Sequence, residues 1–556
     1  MNQINVVNKT MELSECRHAW FFDEKHRCWC LEDVLYTDQA VVPKFQRLSI
    51  FVPEPYMTEG GEINPQGEMN GYSAKSVPVI FANNSAGYMQ MPHVWLEGPR
   101  CSAQQYLERG FVYVSCGNRG RETKDADGNM CGKSPVNLVD LKTAIRFLRY
   151  NRAVLPGDFD HIVSVGWSAG GAMSTLLAVT GNHADYMPFL KENGAFMDER
   201  DDVFAAQIYC PIIDLEHADL AYEWMFAADH ENEASPAGPA GMMTPFQEAL
   251  SAELKQRYIS YFNSLKLVNP QTQETLCIGE DGRSGSGYEY LMRCLDESVT
   301  DYLRRLQSGR LKENYSPADY LAGEYEYQKE APMGGPKEDE KAPAVRPSLG
   351  DLVSRPPKGV PFRDMRPPMI TVKGSDKSSW LSWDGKAAHI CDLDSYVRNH
   401  RRRMKPCTSF DALNMDSGEN EVFGTNEHPF MHFNKEISEA ICALKERFPD
   451  EASKYYASFA QAKNDAELDL RIALLNPMNY IGEEMAKDAA KHYRIRVGAC
   501  DADTSLTIGM TLALKLAAAG KDTDYALVWD KPHCEADYPG EVCDWIDRIF
   551  RELRKC

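Results

Sequence analysis

No stretch of this 556-residue chain approaches the ~20 consecutive apolar residues that a membrane span requires. The N-terminal Met1-Asn2-Gln3-Ile4-Asn5-Val6-Val7-Asn8-Lys9 lacks a basic segment followed by an apolar one, so it does not read as a secretory signal. Basic residues are scarce beside acidic ones: 61 Lys and Arg against 82 Asp and Glu leave a net charge of −21. That excess argues against nucleic acid and anionic membrane as partners, since both need basic patches, and it serves solubility. The 16 cysteines include no C-x-x-C pair and no cysteine–histidine series at zinc spacing. Cys116, Cys210 and Cys442 lie in apolar runs, where a thiol acts as a small hydrophobe. The expectation is therefore reduced thiols in a cytoplasmic protein, although a secreted form already freed of its leader would look the same. There is no internal repeat.

Apolar residues make up 43% and charged residues 26%, the composition of a globular chain with a large core. Short β-branched runs at 48–52, 77–82, 111–116, 161–165 and 204–210 end in turn residues and read as strands buried on both faces. Helical spacing over 136–148, after Ser134-Pro135, and over 169–180 alternates with them. Such alternation predicts an α/β fold with a mostly parallel central sheet. From 216 to 485 helical patterns dominate, as at 252–265, 290–306 and 436–447. Within this span, 331–358 is dense in Pro, Gly and charge and reads as a flexible loop. Strand and helix patterns resume at 493–498, 505–519, 525–529 and 541–553. The chain thus divides into an N-terminal core segment over residues 1–215, a large, mainly helical insert over 216–485 placed before the last strands, and a C-terminal core segment over 486–556.

Gly166-Trp167-Ser168-Ala169-Gly170 matches G-x-S-x-G between an apolar strand and a small-residue helix, the context of a nucleophile elbow. A serine hydroxyl needs a base to take its proton and a carboxylate to hold that base in one tautomer. In chain order these partners follow the serine. His533, in the loop after the last strand, is the candidate base. Asp501 and Asp503, in the loop after the strand at 493–498, are both candidate acids; the other carboxylate would cap the next helix. One oxyanion donor would be the N–H of Ala169. The second would come from Asn83-Asn84-Ser85-Ala86-Gly87-Tyr88, with Ala86 and Gly87 both open.

With Gly-Trp-Ser-Ala-Gly-Gly at 166–171, Asp-x-Asp-Thr-Ser at 501–505 and a step of 32 residues from Asp501 to His533, the chain resembles the bacterial tannases. These are tannin acyl hydrolases of the α/β-hydrolase superfamily with a large lid. Ala-Gly-Tyr-Met at 86–89 is similar to the family's oxyanion segment, although Ala86 stands where a second glycine would be expected. The resemblance implies that Asp501 is the triad acid. It also implies that Lys405, Glu419 and Asp503 hold the hydroxyls of a galloyl ring, the 14-residue step from Lys405 to Glu419 agreeing with the family pattern. Taken alone, Lys405 would belong to the solvated face of the basic run Arg401-Arg402-Arg403, and Glu419 would be a surface residue.

The implied activity is that of a serine esterase releasing gallate from small phenolic esters through an acyl-enzyme, with no metal or organic cofactor. Vicinal phenolic O–H groups can donate to carboxylates and accept from lysine, so two acids and one lysine suit them. The other readings are a feruloyl-type esterase or serine peptidase on the same fold, and an inactive relative that only binds. Oligomeric state is not legible.

Overall fold

The apolar runs become strands because each buries side chains on both faces of one sheet. A computed structural model describes residues 11–98, 101–232, 240–330, 369–462, 465–483 and 485–555. The N-terminal segment 1–9 and the 331–358 stretch lie outside them. Nine strands form the sheet: β1 (Phe21–Asp23), β2 (Cys28–Leu35), β3 (Arg47–Pro53), β4 (Pro78–Asn83), β5 (Val112–Cys116), β6 (Asp158–Trp167), β7 (Ala205–Tyr209), β8 (His492–Gly498) and β9 (Asp522–Val528). Their spatial order is β1-β2-β3-β5-β4-β6-β7-β8-β9. From β5 to β9 every pairing is parallel, and the first three strands add an antiparallel edge. This is the mostly parallel sheet that the strand–helix alternation predicts, in the α/β-hydrolase fold that the resemblance implies.

The parallel strands bring their C-terminal ends to one rim. Trp167 pairs with Tyr209, Tyr209 with Arg496, and Gly498 with Val528. The loops that follow β6, β7, β8 and β9 therefore emerge side by side, at the rim where open α/β sheets place their sites. Helix α1 (Val136–Tyr150) and helix α2 (Ala169–Val179) pack against the sheet, and every residue of α2 is buried. Small residues make that burial feasible, since they let helix and sheet backbones approach closely.

Between β7 and β8 come α3 (Leu215–Met225), α4 (Pro245–Ser264), α5 (Ser286–Gln307), α6 (Leu393–His400), α7 (Gly418–Val422) and α8 (Lys435–Ala443); α9 (Leu506–Ala518) and α10 (Glu541–Leu553) follow the last two strands. Thr244 and Gln247 close α4 with a reciprocal capping box. The sequence pattern shows mainly helices in this span. The structure adds three two-stranded pairs, at 231–232 with 241–242, 326–330 with 369–373, and 381–383 with 388–390. They escape pattern reading because strands of two to five residues carry almost no periodicity. No described helix is long and apolar enough to cross a membrane.

The basic run at 401–403 is not a solvated face. Arg401 and Arg403 are 1% and 0% exposed. Arg403 forms a two-armed pair with Glu223 of α3, which is itself fully buried, and its guanidinium lies 5.2 Å from the Tyr222 ring centre. Arg402 pairs with Asp229 at 2.7 Å. Removing one member of a buried pair leaves the other charge uncompensated. Glu223→Ala should therefore cost about 3–5 kcal/mol in chemical denaturation; a midpoint within experimental error of the parent would mean that the pair does not hold the insert.

Candidate active site

β6 passes into α2 through Ser168, whose backbone sits at φ +61°, ψ −130°, a conformation that costs energy for any residue with a side chain. The turn is tight enough to exclude side chains around it. A Cβ on Gly166 would lie 2.2 Å from the Gly170 carbonyl oxygen, and one on Gly171 would lie 2.7 Å from the Tyr209 carbonyl oxygen. The Ser168 N–H donates to the Tyr209 carbonyl (3.0 Å), which ties the elbow to β7.

His533 Nε2 is 2.8 Å from Ser168 Oγ, and its Nδ1 is 2.9 Å from Asp501 Oδ2. Asp501 is fully buried, and its second oxygen accepts the Asp503 N–H at 2.9 Å. Of the two acids left open by the residues alone, Asp501 is the one on the imidazole. Burial opposes a charged imidazolium, yet the Asp501 and Asp503 carboxylates outweigh it and hold His533 above the ordinary histidine pKa. Burial likewise opposes the Asp501 carboxylate, but His533 and Arg401 keep its pKa below the usual range. The imidazole also meets the edge of Trp167, with ring centres 5.6 Å apart.

β6 and β9 are separated by two strands, so at ~4.8 Å per strand the loop after β9 must reach back about 14 Å to serve Ser168. It does so by lying across the end of β8. A Cβ on Gly498 would meet the Lys531 and Pro532 carbonyl oxygens at 2.2 and 2.3 Å, and the Cys500 N–H donates to the Lys531 carbonyl at 2.8 Å.

At the N-terminus of α2, Ala169 presents its N–H beside the hydroxyl, where the helix dipole favours negative charge. The 83–88 segment packs against this end: a Cβ on Gly170 would meet Asn83 Oδ1 at 2.8 Å, and Asn83 Nδ2 donates to Ser174 Oγ at 3.0 Å. Gly87 sits at φ +57°, and the Ala86 N–H donates to the Asn84 carbonyl at 2.5 Å within its own turn.

Lys405 is 8% exposed, with its ammonium 3.9 Å from the Phe410 ring centre and close enough to His533 to oppose its protonation. Glu419 lies on α7, which packs on the 86–88 turn, and its charge bears on buried Tyr88 there. Among the described residues, the Lys405 ammonium and the Glu419 and Asp503 carboxylates take part in no hydrogen bond or ion pair. Two charged side chains without internal partners, Lys405 and Asp503, thus bear on His533, and a third, Glu419, lies by the 86–88 turn.

Sequence reasoning missed the residues that hold this arrangement. The Tyr222 hydroxyl donates to the Ala502 carbonyl (3.0 Å) and accepts the Met404 and Lys405 N–H groups (3.1 Å each), joining the acid loop to the lysine. Arg401 donates to the Asp501 and Thr504 carbonyls. Two buried carboxylates shape the 405–420 loop. Asp219 accepts the Ser409, Phe410 and Asp411 N–H groups, and Asp411 accepts from Asn420, His432, Phe433 and Asn434. Burial and the neighbouring Asp411 push Asp219 up to about 7. None of these residues stands in a motif, so no local signal marks them.

Fold and elbow together define an α/β-hydrolase. The family described as BD-FAE matches residues 73–234, which include the elbow. The chain matches no curated protein sequence. Among solved structures, the tannin acyl hydrolase from Lactobacillus plantarum is 30% identical, with 94% of each chain covered and a TM-score of 0.71. A tannin acyl hydrolase in complex with ethyl gallate gives the same identity, coverage and TM-score. Fusobacterium nucleatum tannase is 29% identical over 94% of this chain and 95% of its own, with a TM-score of 0.70. The chain belongs to the bacterial tannases, the tannin acyl hydrolases, and is a carboxylic ester hydrolase.

The crossing of the two loops and the charges around the imidazole can each be tested. Gly498→Ala should push the 529–533 loop off the sheet and lower kcat about 100-fold, as misplacement of a base by ~1 Å does, with KM little changed; unchanged kcat would mean that the loop does not need this close approach. A base must be neutral, so a raised His533 pKa places the acidic limb of the kcat/KM profile above the ordinary histidine value. Asp503→Asn removes one of the carboxylates that raise it, so the limb measured with a simple acetate ester should move to lower pH; no movement would show that Asp503 does not act on the imidazole.

Proposed function

We propose that this esterase hydrolyses galloyl esters through a Ser168 acyl-enzyme. Ser168 Oγ attacks the ester carbonyl as His533 Nε2 takes its proton, and Asp501 holds the imidazole by Nδ1 and stabilises the imidazolium. The tetrahedral oxyanion is met by the Ala169 N–H and by a second N–H from the 86–87 turn. Gly87 suits that role better than Ala86, because the Ala86 N–H is engaged by Asn84. His533 returns the proton to the departing alcohol, then activates the water that frees gallate.

Lys405, Glu419 and Asp503 take the ring's phenolic hydroxyls: the carboxylates accept from them and the ammonium donates to them. The observation that carries this reading is the set of three unpaired charges at the relay and the 86–88 turn. A feruloyl ester has a single phenolic hydroxyl and would leave most of that set unmatched, and a peptide offers no vicinal phenols. The elbow strain at Ser168 speaks against a merely binding protein, which would gain nothing from it.

Gallate release from methyl gallate is the direct test. Ser168→Ala should abolish it; substantial residual turnover would overturn the acyl-enzyme. Lys405→Ala and Glu419→Gln should each raise KM for methyl gallate by about 10- to 1,000-fold while changing hydrolysis of phenyl acetate little. Equal effects on both esters would remove the galloyl assignment while leaving the esterase intact.

A further inference from the structure

Behind the triad, three side chains of a different kind converge. Cys500 immediately precedes Asp501, Asp530 lies in the loop that delivers His533, and His400 closes α6 of the insert. His400 Nε2 is 3.2 Å from Cys500 Sγ and 3.2 Å from Asp530 Oδ1. The three ligand atoms all lie within 4.8 Å of one another.

This is not a second catalytic relay. On His533 the hydroxyl and the carboxylate occupy opposite ring nitrogens, whereas here thiol and carboxylate face the same nitrogen. A single proton on Nε2 serves two acceptors poorly, but a metal ion at their common focus would serve all three atoms. Tetrahedral zinc with N, O and S ligands sets neighbouring ligand atoms about 3.4–3.6 Å apart. The two distances from His400 Nε2 need only a slight expansion to admit such an ion.

The surroundings are those of a built ligand set. The Tyr320 hydroxyl donates to Asp530 Oδ1 (2.9 Å) and accepts from Trp529 Nε1 (2.7 Å), which orients the carboxylate. His400 stacks on Trp529, with ring centres 4.4 Å apart and planes at 11°, which fixes the imidazole. Asp530 keeps 29% of its side chain exposed, so solvent can reach the cluster and supply a fourth ligand. Lys377, an ammonium near the cluster, is directed to the Tyr325 hydroxyl (2.9 Å) and the Ser375 carbonyl (3.0 Å).

We propose that Cys500, His400 and Asp530 form a binding site for a divalent cation of borderline softness, of the Zn2+ type, separate from the chemistry at Ser168. Thiolate, carboxylate and neutral imidazole would each form one bond to the ion. The thiol proton and any proton on Nε2 pass to solvent, and the two anionic ligands balance the ion's charge. Bound there, the ion ties the end of α6 to both loops that carry the triad's acid and base.

The test uses the full-length protein, stripped with a chelator and titrated with Co2+ alone. One ion per chain with thiolate-to-cobalt charge-transfer absorption is expected. Cys500→Ser should abolish that absorption, and His400→Gln should weaken binding by at least about tenfold, with folding of both variants checked by circular dichroism. Cys391→Ser, which changes an exposed thiol elsewhere, should keep the absorption. Cys210 is the competing soft ligand, since its thiol lies with Asp501 and His533. Absorption that persists in Cys500→Ser, cobalt uptake without it, or no uptake at all would each overturn the proposal.

Discussion

The site depends on one reach: an imidazole carried by the last strand's loop must arrive at a serine that ends a strand three places away. Parallel strands alone would leave His533 too far from Ser168. The loop closes the gap by lying flat on the end of β8, and Gly498 is the residue that leaves room for it. The same contact brings the acid and the base together, because Asp501 leaves β8 where the His533 loop crosses it; the Cys500 N–H to Lys531 carbonyl bond joins the two loops. Sheet register, the glycine and the relay are therefore one geometric unit.

The insert completes that unit from above. The carbonyls of the acid loop point away from the triad and are taken by insert side chains: Ala499 by Tyr396, Asp501 and Thr504 by Arg401, and Ala502 by Tyr222. Buried carbonyls left without donors would each carry a desolvation cost, so the insert stabilises the loop that holds the acid. The Tyr222 hydroxyl also bonds the Lys405 backbone, so a displacement at Tyr222 would shift both the acid loop and the Lys405 segment.

Much of this was legible in the chain itself, because the signals are local. A strand, a glycine-flanked serine and a small-residue helix mark the elbow within about fifteen residues, and His533 is the sole histidine beyond the last strand. Seven strands read as apolar runs, β3 to β8 because most of their residues are buried and β9 by its buried C-terminal end. The first two strands do not: β1 is only three residues long, and β2 carries Glu32 and Asp33 where its pairing with β3 is irregular, between Leu31 and Val34. Arg401 and Arg403 misled for a different reason. A run of like charge reads as solvated unless its partners are visible, and Glu223 lies 180 residues away. Asp219 and Asp411 are invisible on a similar ground: most of their partners are backbone N–H groups, which leave no trace in residue type.

The unpaired charges at the site are intelligible as stored cost. Lys405 recovers some of its lost hydration from the Phe410 face, a contact worth ~0.5–2 kcal/mol. Taking an ammonium out of water costs several kcal/mol, so the compensation is incomplete. Such a residue stays in place because the loop is held by other means, the full hydrogen-bonding of Asp219 and Asp411 with their backbone donors. The buried, saturated carboxylates supply rigidity, and on the proposed function the unpaired charges would take a ligand with several adjacent hydroxyls. On that proposal a ring lacking one hydroxyl would meet the same rigid loop and leave one charge unmatched, so selectivity would follow from the stiffness of the loop as much as from the charges on it.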